Sequence, residues 1–503
     1  MIRVKSCAYI GIRAFEVNIE VDRSSGLPQL ITVGLPDASV REAKERIRTA
    51  IKNSGFEIPP EKITINLAPA DIKKEGATFD LPMALGILAA NELIPASIFE
   101  KYFFCGELAL DGSLRPFQGS LILTSHFPQS SFVLPEGCAM EAAWAKKAAI
   151  FSVRTLKEVV DFLNGKTVIE PLNPDPEAFL KESPIYPDFA EVRGQNHVKR
   201  ALEIAASGRH HILLVGPPGS GKTMISKRLP SILPPPSWDE MIDLTKIKSV
   251  SEQHDGGLVL QRPFRSPHHT SSAIALTGGG SSARPGEVSL AHLGALFLDE
   301  LPEFKRDVLE SLRAPMEDGQ ITVSRAKNQI TYPAHFLLIA AMNPCPCGYL
   351  GEPTRRCRCA LNQIQKYQNK ISGPILDRID LQIEVPRVGS EFLTKDTHHA
   401  ESSEVIRARV IRAQTIQMKR NKGKLNAQLT PNEIRKWAWP DPNGLALMET
   451  AMKNLRLSAR AYFKILKIAR TIADLEAEEK VAKKHVAEAI QYRGLDRMSL
   501  RAG

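Results

Sequence analysis

The sequence contains no apolar run near the length of about 20 residues that a membrane-spanning helix needs. Its N-terminal stretch, Met1 to Ser6, also lacks the long apolar segment of a secretory signal. These two absences exclude the helical membrane-protein classes and argue against export. We therefore expect a cytoplasmic protein.

Cysteine is scarce, with seven residues in a chain of 503. An odd number of cysteines without an export signal argues against a framework of disulfides. Four of the seven nevertheless lie close together, as Cys345-Pro-Cys347 and Cys357-Arg-Cys359. The first pair follows Asn343 almost immediately.

An excess of acidic charge is also missing, since the formal net charge is +10. The first 187 residues hold 20 Lys and Arg against 23 Asp and Glu, and the remainder holds 46 against 33. The basic excess therefore belongs to the later part of the chain. Such an excess suits a phosphate-rich polymer as partner, although basic proteins with other roles are common.

The length predicts about three domains. Residues 1–166 alternate strand-like runs with helices and predict an α+β or α/β unit. Residues 167–187 form a proline-rich linker, because proline blocks both helix continuation and strand pairing. An α/β core is expected over 188–394, and helical periodicity dominates 395–503.

A glycine-rich turn follows the apolar run that ends at Val215 and precedes an amphipathic segment. Glycines at such a turn let backbone N–H groups converge on a phosphate, and the following helix adds its positive dipole end. Lys222 would reach the β- and γ-phosphates, and the Thr223 hydroxyl would hold Mg²⁺. The predicted nucleotide-binding residues of this turn are Gly216, Pro217, Pro218, Gly219, Ser220, Gly221, Lys222 and Thr223.

Two further apolar runs end in polar side chains. The run Ala295 to Leu298 leads into Asp299, which would hold the Mg²⁺ shell, and Glu300, which would polarise the attacking water. The run ending at Met342 leads into Asn343, which would contact the γ-phosphate or orient the water. Three such units in this order describe a P-loop ATPase of the AAA+ kind, with ATP and Mg²⁺ as cofactors.

Two unusual segments flank Asp299 and Glu300, the acidic pair. A polar stretch from Glu252 to Ser289 is unusually long for a structureless insert, and long inserts in compact domains are more often functional than idle. Alternating residues on both sides of 325–328 predict a β-hairpin with a cationic tip.

The order of these motifs resembles a known family. Residues 188–503 resemble the magnesium-chelatase-like AAA+ proteins, and the whole chain is similar to the bacterial YifB/ComM group. The matching segments are Gly216 to Thr223, Phe264 to His269, Leu296 to Glu300, Asn343 to Gly348, Ser372 to Asp380 and Leu457 to Arg460. The resemblance implies an ATP-driven hexameric ring with DNA helicase activity, used for branch migration in homologous recombination and natural transformation.

The resemblance assigns roles to four basic residues. Arg378 would act as an arginine finger that reaches a neighbour's γ-phosphate, rather than as a surface arginine paired with Asp377 or Asp380. Arg460 would sense nucleotide from the helical lid. Arg325 and Lys327, at the hairpin tip, would contact phosphates of single-stranded or branched DNA without reading its sequence.

The N-terminal segment Lys74 to Ala84 resembles the nucleophile region of Lon-type protease domains, with Thr78 in place of the serine. A Ser-Lys hydrolase also needs a lysine base, and the later match places Leu121 at that position. Leucine cannot activate a hydroxyl group. We expect a Lon-like α+β domain that lacks protease activity and serves binding or ring assembly.

The four clustered residues Cys345, Cys347, Cys357 and Cys359 have the ligand type of a tetrahedral Zn²⁺ site, although Cys-x-Cys pairs are less usual there. Four free buried cysteines are the alternative. Three interleaved arginines favour thiolates, and the loop holds few apolar residues around which it could fold. The sequence therefore makes Zn²⁺ a candidate cofactor.

Two other functions remain as alternatives to a DNA translocase. A chelatase-type motor that remodels a protein partner shares the ATPase core but usually lacks a Lon-like domain and a cysteine loop. An ATP-dependent protease conflicts with Leu121.

Overall fold

The computed structural model describes residues 1–35, 38–70, 76–175, 186–251, 257–280, 283–324, 329–353, 355–389, 401–455 and 457–493. The chain divides into two compact units, residues Met1–Ser183 with Trp238–Val259, and residues Pro184–Ser237 with Leu260–Gly503. No helix in the described part of the chain is long and apolar enough to cross a membrane.

The first unit contains two main sheets with helices. Its elements are β1 Ile2–Ile10, β2 Arg13–Ser24, β3 Gln29–Val33, α1 Ala38–Asn53, β4 Lys62–Ala68, α2 Asp80–Ala90, β5 Tyr102–Phe104, β6 Glu107–Leu108, β7 Leu114–Arg115, α3 Ser120–His126, β8 Ser131–Pro135, α4 Glu136–Ala143, β9 Ala149–Val153 and α5 Leu156–Leu163. The larger sheet has the order β1-β2-β4-β3, and the smaller has the parallel order β5-β8-β9. Helix α2 is almost entirely buried, which its apolar sequence requires.

Thr78 and Leu121, the two positions compared above with a protease site, lie in this unit. Thr78 belongs to a short 3₁₀ turn, and its carbonyl accepts a hydrogen bond from the Gly106 N–H at 2.9 Å. Leu121 lies in α3 with no exposed surface. Burial among apolar neighbours suits leucine and would not suit a catalytic lysine.

The second unit is built on a parallel sheet. Its elements begin with α6 Asn196–Gly208, β10 Ile212–Val215, α7 Lys222–Ser226, α8 Trp238–Ser249 (part of the first unit), β11 Phe264–Arg265, α9 Ala273–Thr277, β12 Gly278–Gly279, β13 Arg284–Pro285, α10 Glu287–Leu290 and β14 Ala295–Leu298. They continue with α11 Arg306–Ser311, α12 Arg313–Asp318, β15 Gln320–Ser324, β16 Gln329–Pro333, β17 Leu337–Met342, α13 Leu361–Gln368, α14 Gly373–Leu376 and β18 Leu381–Glu384.

The five parallel strands have the order β11-β14-β17-β10-β18. Strand β17 lies between β10, which precedes the glycine-rich turn, and β14, which precedes the acidic pair. Strands β10, β14 and β17 are buried throughout, and this explains their nearly unbroken apolar sequences. Parallel order places the carboxyl ends of all three strands at one edge of the sheet.

The C-terminal helices are α15 Ser403–Arg420, α16 Pro431–Trp437, α17 Pro442–Leu455, α18 Ala459–Leu475 and α19 Lys483–Gln491. The apolar faces of α15, α17, α18 and α19 share one core with α6 and the sheet, and Ile434 of α16 joins Leu466 of α18 in a separate small cluster. Buried polar contacts add to this packing, because Lys464 of α18 pairs with Asp380 at 2.8 Å. The predicted helical region is therefore anchored on the α/β core.

Two expectations about the middle of the chain need revision. The stretch from Glu252 to Ser289 is not structureless, because it contains β11, α9 and the short β12–β13 pair, although residues 252–256 and 281–282 lie outside the described part. Residues 304–317 have the sequence pattern of a single helix, but the structure forms two shorter helices there, α11 and α12. Leu312, a buried apolar residue, separates them.

Helix α8 lies between the glycine-rich turn and the acidic pair in sequence but packs within the first unit. Its Trp238 indole N–H donates to the Trp144 carbonyl at 3.2 Å, and the Lys146 ammonium lies 4.5 Å from the Trp238 ring centroid. Ile242 joins Leu121 and Trp144 in a small apolar cluster. Apolar burial and a cation–π contact explain why this segment packs in the first unit, although the residues before and after it in sequence belong to the second.

Candidate active site

The glycine-rich turn follows β10 at the carboxyl edge of the sheet. The Gly216 N–H donates to the Met342 carbonyl at 3.2 Å, so the turn is attached to β17. A Cβ on Gly216 would lie 2.1 Å from the Val385 carbonyl oxygen. Gly219 has φ of +75° and open space beside it, as a backbone that approaches a phosphate requires.

Lys222, the first residue of α7, extends its side chain across this turn. Its ammonium donates to the carbonyls of Gly216 at 2.7 Å and Pro217 at 2.9 Å. The amide oxygen of Asn343 lies 3.3 Å away. Burial lowers the pKa of Lys222, while Asp299 and Glu300 act in the opposite direction.

Thr223 and Asp299 meet directly, with the hydroxyl donating to the Asp299 carboxylate at 2.6 Å. The other carboxylate oxygen of Asp299 accepts the Glu300 N–H at 3.0 Å. Hydroxyl and carboxylate oxygens are the ligands that Mg²⁺ prefers beside a phosphate. The two residues fit a magnesium ion brought by a nucleotide.

Glu300 has a left-handed backbone, with φ of 52°, and its side chain is 60% exposed. One carboxylate oxygen lies 3.8 Å from Nδ1 of His269. The His269 ring also makes an edge contact with Phe304. An exposed carboxylate next to the Thr223–Asp299 pair is chemically able to accept a proton from water.

Sequence reasoning gave no role to His269, although it quoted the motif Phe264 to His269. Strand β11 within that motif pairs with β14, so the residues that follow the two strands are brought near each other. Gln195 was also missed. Its side-chain amide donates to the Ser220 carbonyl at 2.6 Å and thereby holds the backbone of the glycine-rich turn.

Arg378 makes its ion pair with Glu317 of α12 rather than with Asp377 or Asp380, and its guanidinium also donates to the Pro374 carbonyl at 2.7 Å. The side chain is 11% exposed. Arg460 lies 3.7 Å from Asp377, so both arginines lie at one location in the second unit. Arg460 is 68% exposed.

The predicted cationic hairpin exists as the antiparallel pair of β15 and β16, with Ser324 opposite Gln329. Its tip residues Arg325 and Lys327 lie outside the described residues. The two strands confirm the hairpin itself, and the DNA contact stays a prediction.

Cys345, Cys347, Cys357 and Cys359 come together, with their sulfur atoms all within 4.8 Å of one another. Sγ of Cys345 lies 3.4 Å from that of Cys347 and 3.7 Å from that of Cys357. Four thiolates around Zn²⁺, each at about 2.3 Å, would be roughly 3.8 Å apart. Backbone N–H groups of Arg358 and Tyr349 lower the pKa of Cys347 to about 6, whereas burial raises the pKa of Cys345 to about 12.

Family models cover most of the chain. Residues 188–393 match the model described as magnesium chelatase, subunit ChlI; residues 400–493 match its C-terminal model; and residues 19–137 match a further model for subunit ChlI of magnesium chelatase.

Full-length relatives are similar from end to end. A protein named YifB from Salmonella typhimurium is 45% identical over 98% of this chain and 97% of its own length. The competence protein ComM of Haemophilus influenzae is 43% identical over 98% of both chains. The magnesium-chelatase 38 kDa subunit of Cereibacter sphaeroides is 25% identical over 31% of this chain and 52% of its own length.

Proposed function

Because this chain belongs to the YifB/ComM family of magnesium-chelatase-like AAA+ proteins, we propose that it is an ATP-dependent DNA translocase that promotes branch migration in homologous recombination and natural transformation. The observation that carries the proposal is the meeting of Lys222, Thr223, Asp299 and Asn343 at one edge of the sheet. The name of the ComM relative supports the connection with competence.

The residues divide the work of ATP hydrolysis. Lys222 would hold the β- and γ-phosphates, and Thr223 with Asp299 would hold the Mg²⁺, which would neutralise phosphate charge. Glu300 orients and polarises the attacking water. Asn343, which accepts a hydrogen bond from Lys222, would contact the γ-phosphate from the end of β17.

We assign Arg378 and Arg460 to the nucleotide of a neighbouring subunit in a hexameric ring. Their common location beside Asp377 supports one shared surface for both. Arg378 would exchange Glu317 for a γ-phosphate when the ring closes, because a phosphate offers more negative charge than one carboxylate. Such an exchange makes hydrolysis depend on assembly.

DNA is the proposed polymer, contacted by Arg325 and Lys327 on the β15–β16 hairpin. The net charge of +13 in residues 188–503 supports this choice. Contacts to phosphate carry no sequence information, so binding would weaken as salt rises. Chromosomal DNA as substrate would place the protein in the cytoplasm.

We further propose a Lon-like N-terminal domain without protease activity and a Zn²⁺ ion held by the four cysteines. The fully buried Leu121 supports the first statement. The sulfur separations of 3.4 to 3.7 Å support the second, because they are close to those of a tetrahedral thiolate site.

The test measures ATP turnover and the migration of a four-way DNA junction by purified protein. DNA should stimulate turnover, and Glu300→Gln should stop migration while ATP still binds. Equal turnover with and without DNA across a range of salt concentrations would contradict the translocase.

The second candidate is a chelatase-type motor that remodels a protein partner. The similarity to the magnesium-chelatase 38 kDa subunit favours it. A rate of ATP hydrolysis that DNA does not change, but that a porphyrin-binding partner enzyme increases, would support this candidate instead.

A further inference from the structure

The cysteine cluster belongs to a loop that leads from β17 to α13 and touches the glycine-rich turn. We call residues 344–360 the cysteine loop. It begins directly after Asn343, and its Pro344 carbonyl accepts the Gln368 amide of α13 at 3.0 Å. The loop is therefore fixed at both ends while its middle lies against the phosphate site.

The closest approach is between Gly348 of the cysteine loop and Pro218 of the turn. Gly348 has φ of +83°, and its N–H donates to the Cys345 carbonyl at 2.9 Å. A Cβ at this position would lie 2.5 Å from Cδ and 2.8 Å from Cγ of Pro218. The backbone of Gly348 therefore faces the ring of Pro218, with no space between them for a methyl group.

A second connection surrounds the same proline. The Arg387 guanidinium donates to the Pro218 carbonyl at 3.5 Å and lies 5.5 Å from the ring centroid of Tyr349. Arg355 covers that ring at 4.1 Å and donates to its hydroxyl at 2.8 Å. Tyr349 thus connects an arginine inside the cysteine loop to one that holds the turn.

We propose that Zn²⁺ bound by Cys345, Cys347, Cys357 and Cys359 sets the shape of the nucleotide site through the contact of Gly348 with Pro218. The ATP affinity then depends on whether the cluster holds its metal. The inference rests on the proposed binding of ATP to this turn.

The chemistry of the cluster supports such a role. Four thiols lose four protons when they bind one Zn²⁺ ion, which leaves a complex with a charge of −2. The exposed residues Arg355, Arg356 and Arg358 compensate that charge. Among the described side chains of the loop only Pro344 and Cys345 are buried, so metal ligation would supply order that packing does not.

Two glycines of the loop form a matched pair for the test. Gly351 has φ of +79°, close to that of Gly348, but nothing lies within 4 Å of a Cβ built on it. Alanine at either position brings the same backbone strain. Only Gly348→Ala presses on Pro218.

The experiment compares the full-length wild type, Gly348→Ala, Gly351→Ala and the double variant Cys357→Ser/Cys359→Ser. Zinc per chain is measured by plasma mass spectrometry, and Kd is measured with a fluorescent ATP analogue and Mg²⁺. We expect one zinc per wild-type chain, loss of zinc and about tenfold weaker nucleotide binding in the double variant, and a similar loss of affinity in Gly348→Ala with zinc retained. Gly351→Ala should match the wild type in both.

Each contrary result has a separate meaning. A wild type that binds ATP but no zinc overturns this inference and leaves the ATPase proposal standing, whereas a wild type that binds no ATP contradicts the proposed function itself. Equal affinities in the two glycine variants overturn the contact with Pro218. If the cysteine variant fails to fold by circular dichroism, chelator-stripped wild type replaces it, and an unchanged Kd after zinc loss overturns the proposal.

Discussion

Two buried charges, one in each unit, are compensated in different ways. In the first unit, Arg46 and Asp80 form a two-pronged ion pair at 2.6 and 3.1 Å, and Asp80 also accepts the Leu108 N–H at 3.2 Å. In the second unit, Lys222 is also buried, but its ammonium donates hydrogen bonds to neutral oxygens of Gly216, Pro217 and Asn343.

The difference separates a structural charge from a functional one. A buried carboxylate with an opposite charge and a backbone donor is complete within the fold. A buried ammonium on carbonyl oxygens keeps most of its attraction for an anion, because dipoles compensate a full charge only in part. This contrast supports a structural role for Arg46 and Asp80 and the proposed role of Lys222 in phosphate binding.

The cysteines repeat this contrast. Cys7 and Cys105 lie 3.5 Å apart within an apolar core of the first unit, where burial raises the pKa of Cys7. The four cysteines of the second unit lie in a loop rich in arginine. Sulfur among apolar side chains suits packing, whereas the sulfur cluster in the polar loop is the one for which we propose a metal.

The largest expected effect concerns Glu300. Glu300→Gln should lower kcat for ATP about 10²- to 10⁴-fold, because the amide cannot accept a proton from water. The Kd for ATP with Mg²⁺ should stay within about twofold, since Glu300 touches the water rather than the phosphates. Steady-state turnover and equilibrium binding check this, with the exposed Glu303→Gln as control. Undiminished turnover would remove Glu300 from the reaction.

The structural charge is tested by Arg46→Met, which leaves Asp80 buried without its partner. We expect the first unit to lose about 3 to 5 kcal/mol of stability at pH 7.5, while ATP affinity is unchanged. Hydrogen exchange of the full-length chain, followed in α1 and β6, measures the loss. The exposed Arg48→Met on the same helix is the control, and equal exchange in both variants would contradict a structural role for the pair.

The same pair predicts a dependence on pH. Burial raises the pKa of Asp80 to about 6, although Arg46 and the Leu108 N–H act to lower it. The folded state therefore binds the proton more tightly than the unfolded state, and this contribution to stability falls as pH rises from about 4 to 6. The destabilisation by Arg46→Met should accordingly be smaller at pH 5 than at pH 7.5. A larger loss at pH 5 would reverse the sign and reject the assignment.

Lys222→Ala tests the functional charge. We expect ATP to bind about a hundredfold more weakly, on the scale of a lost charge-assisted bond to phosphate. The increase in Tm that ATP gives the wild type should disappear. Lys227→Ala, an exposed lysine next to the same helix, should behave like the wild type. If Lys222→Ala keeps the ATP-induced increase in Tm, the proposed role of Lys222 in phosphate binding is wrong.

The smallest effect is expected for His269, which lies beside Glu300. His269→Ala should lower kcat about threefold with an unchanged Kd, because one weak contact positions the carboxylate. His268→Ala is the control, since that ring bonds Thr270 instead. Identical kcat values in the two variants would show that His269 does not position Glu300.

Sequence reasoning predicted the strands, the glycine-rich turn and the acidic pair because their signals are local. The helical sequence patterns of residues 196–206, 458–476 and 483–492 are also local, and the structure has helices there whose ends agree within two residues. The partner of Arg378 could not be predicted, because Glu317 is 61 positions away in the chain and no local pattern connects them. The packing of α8 within the first unit was missed for the same reason.

The sequence by itself determined the turn at which we propose that phosphate binds and the residue types around it, since glycines, lysine, threonine and strand-end acids carry that information in their spacing. Tertiary structure decided which groups meet. The parallel order of the sheet brought Asn343 to Lys222, and the turn at Gly348 brought the cysteine loop to Pro218. Such contacts depend on strand order and backbone approach, which arise only when distant segments pack together.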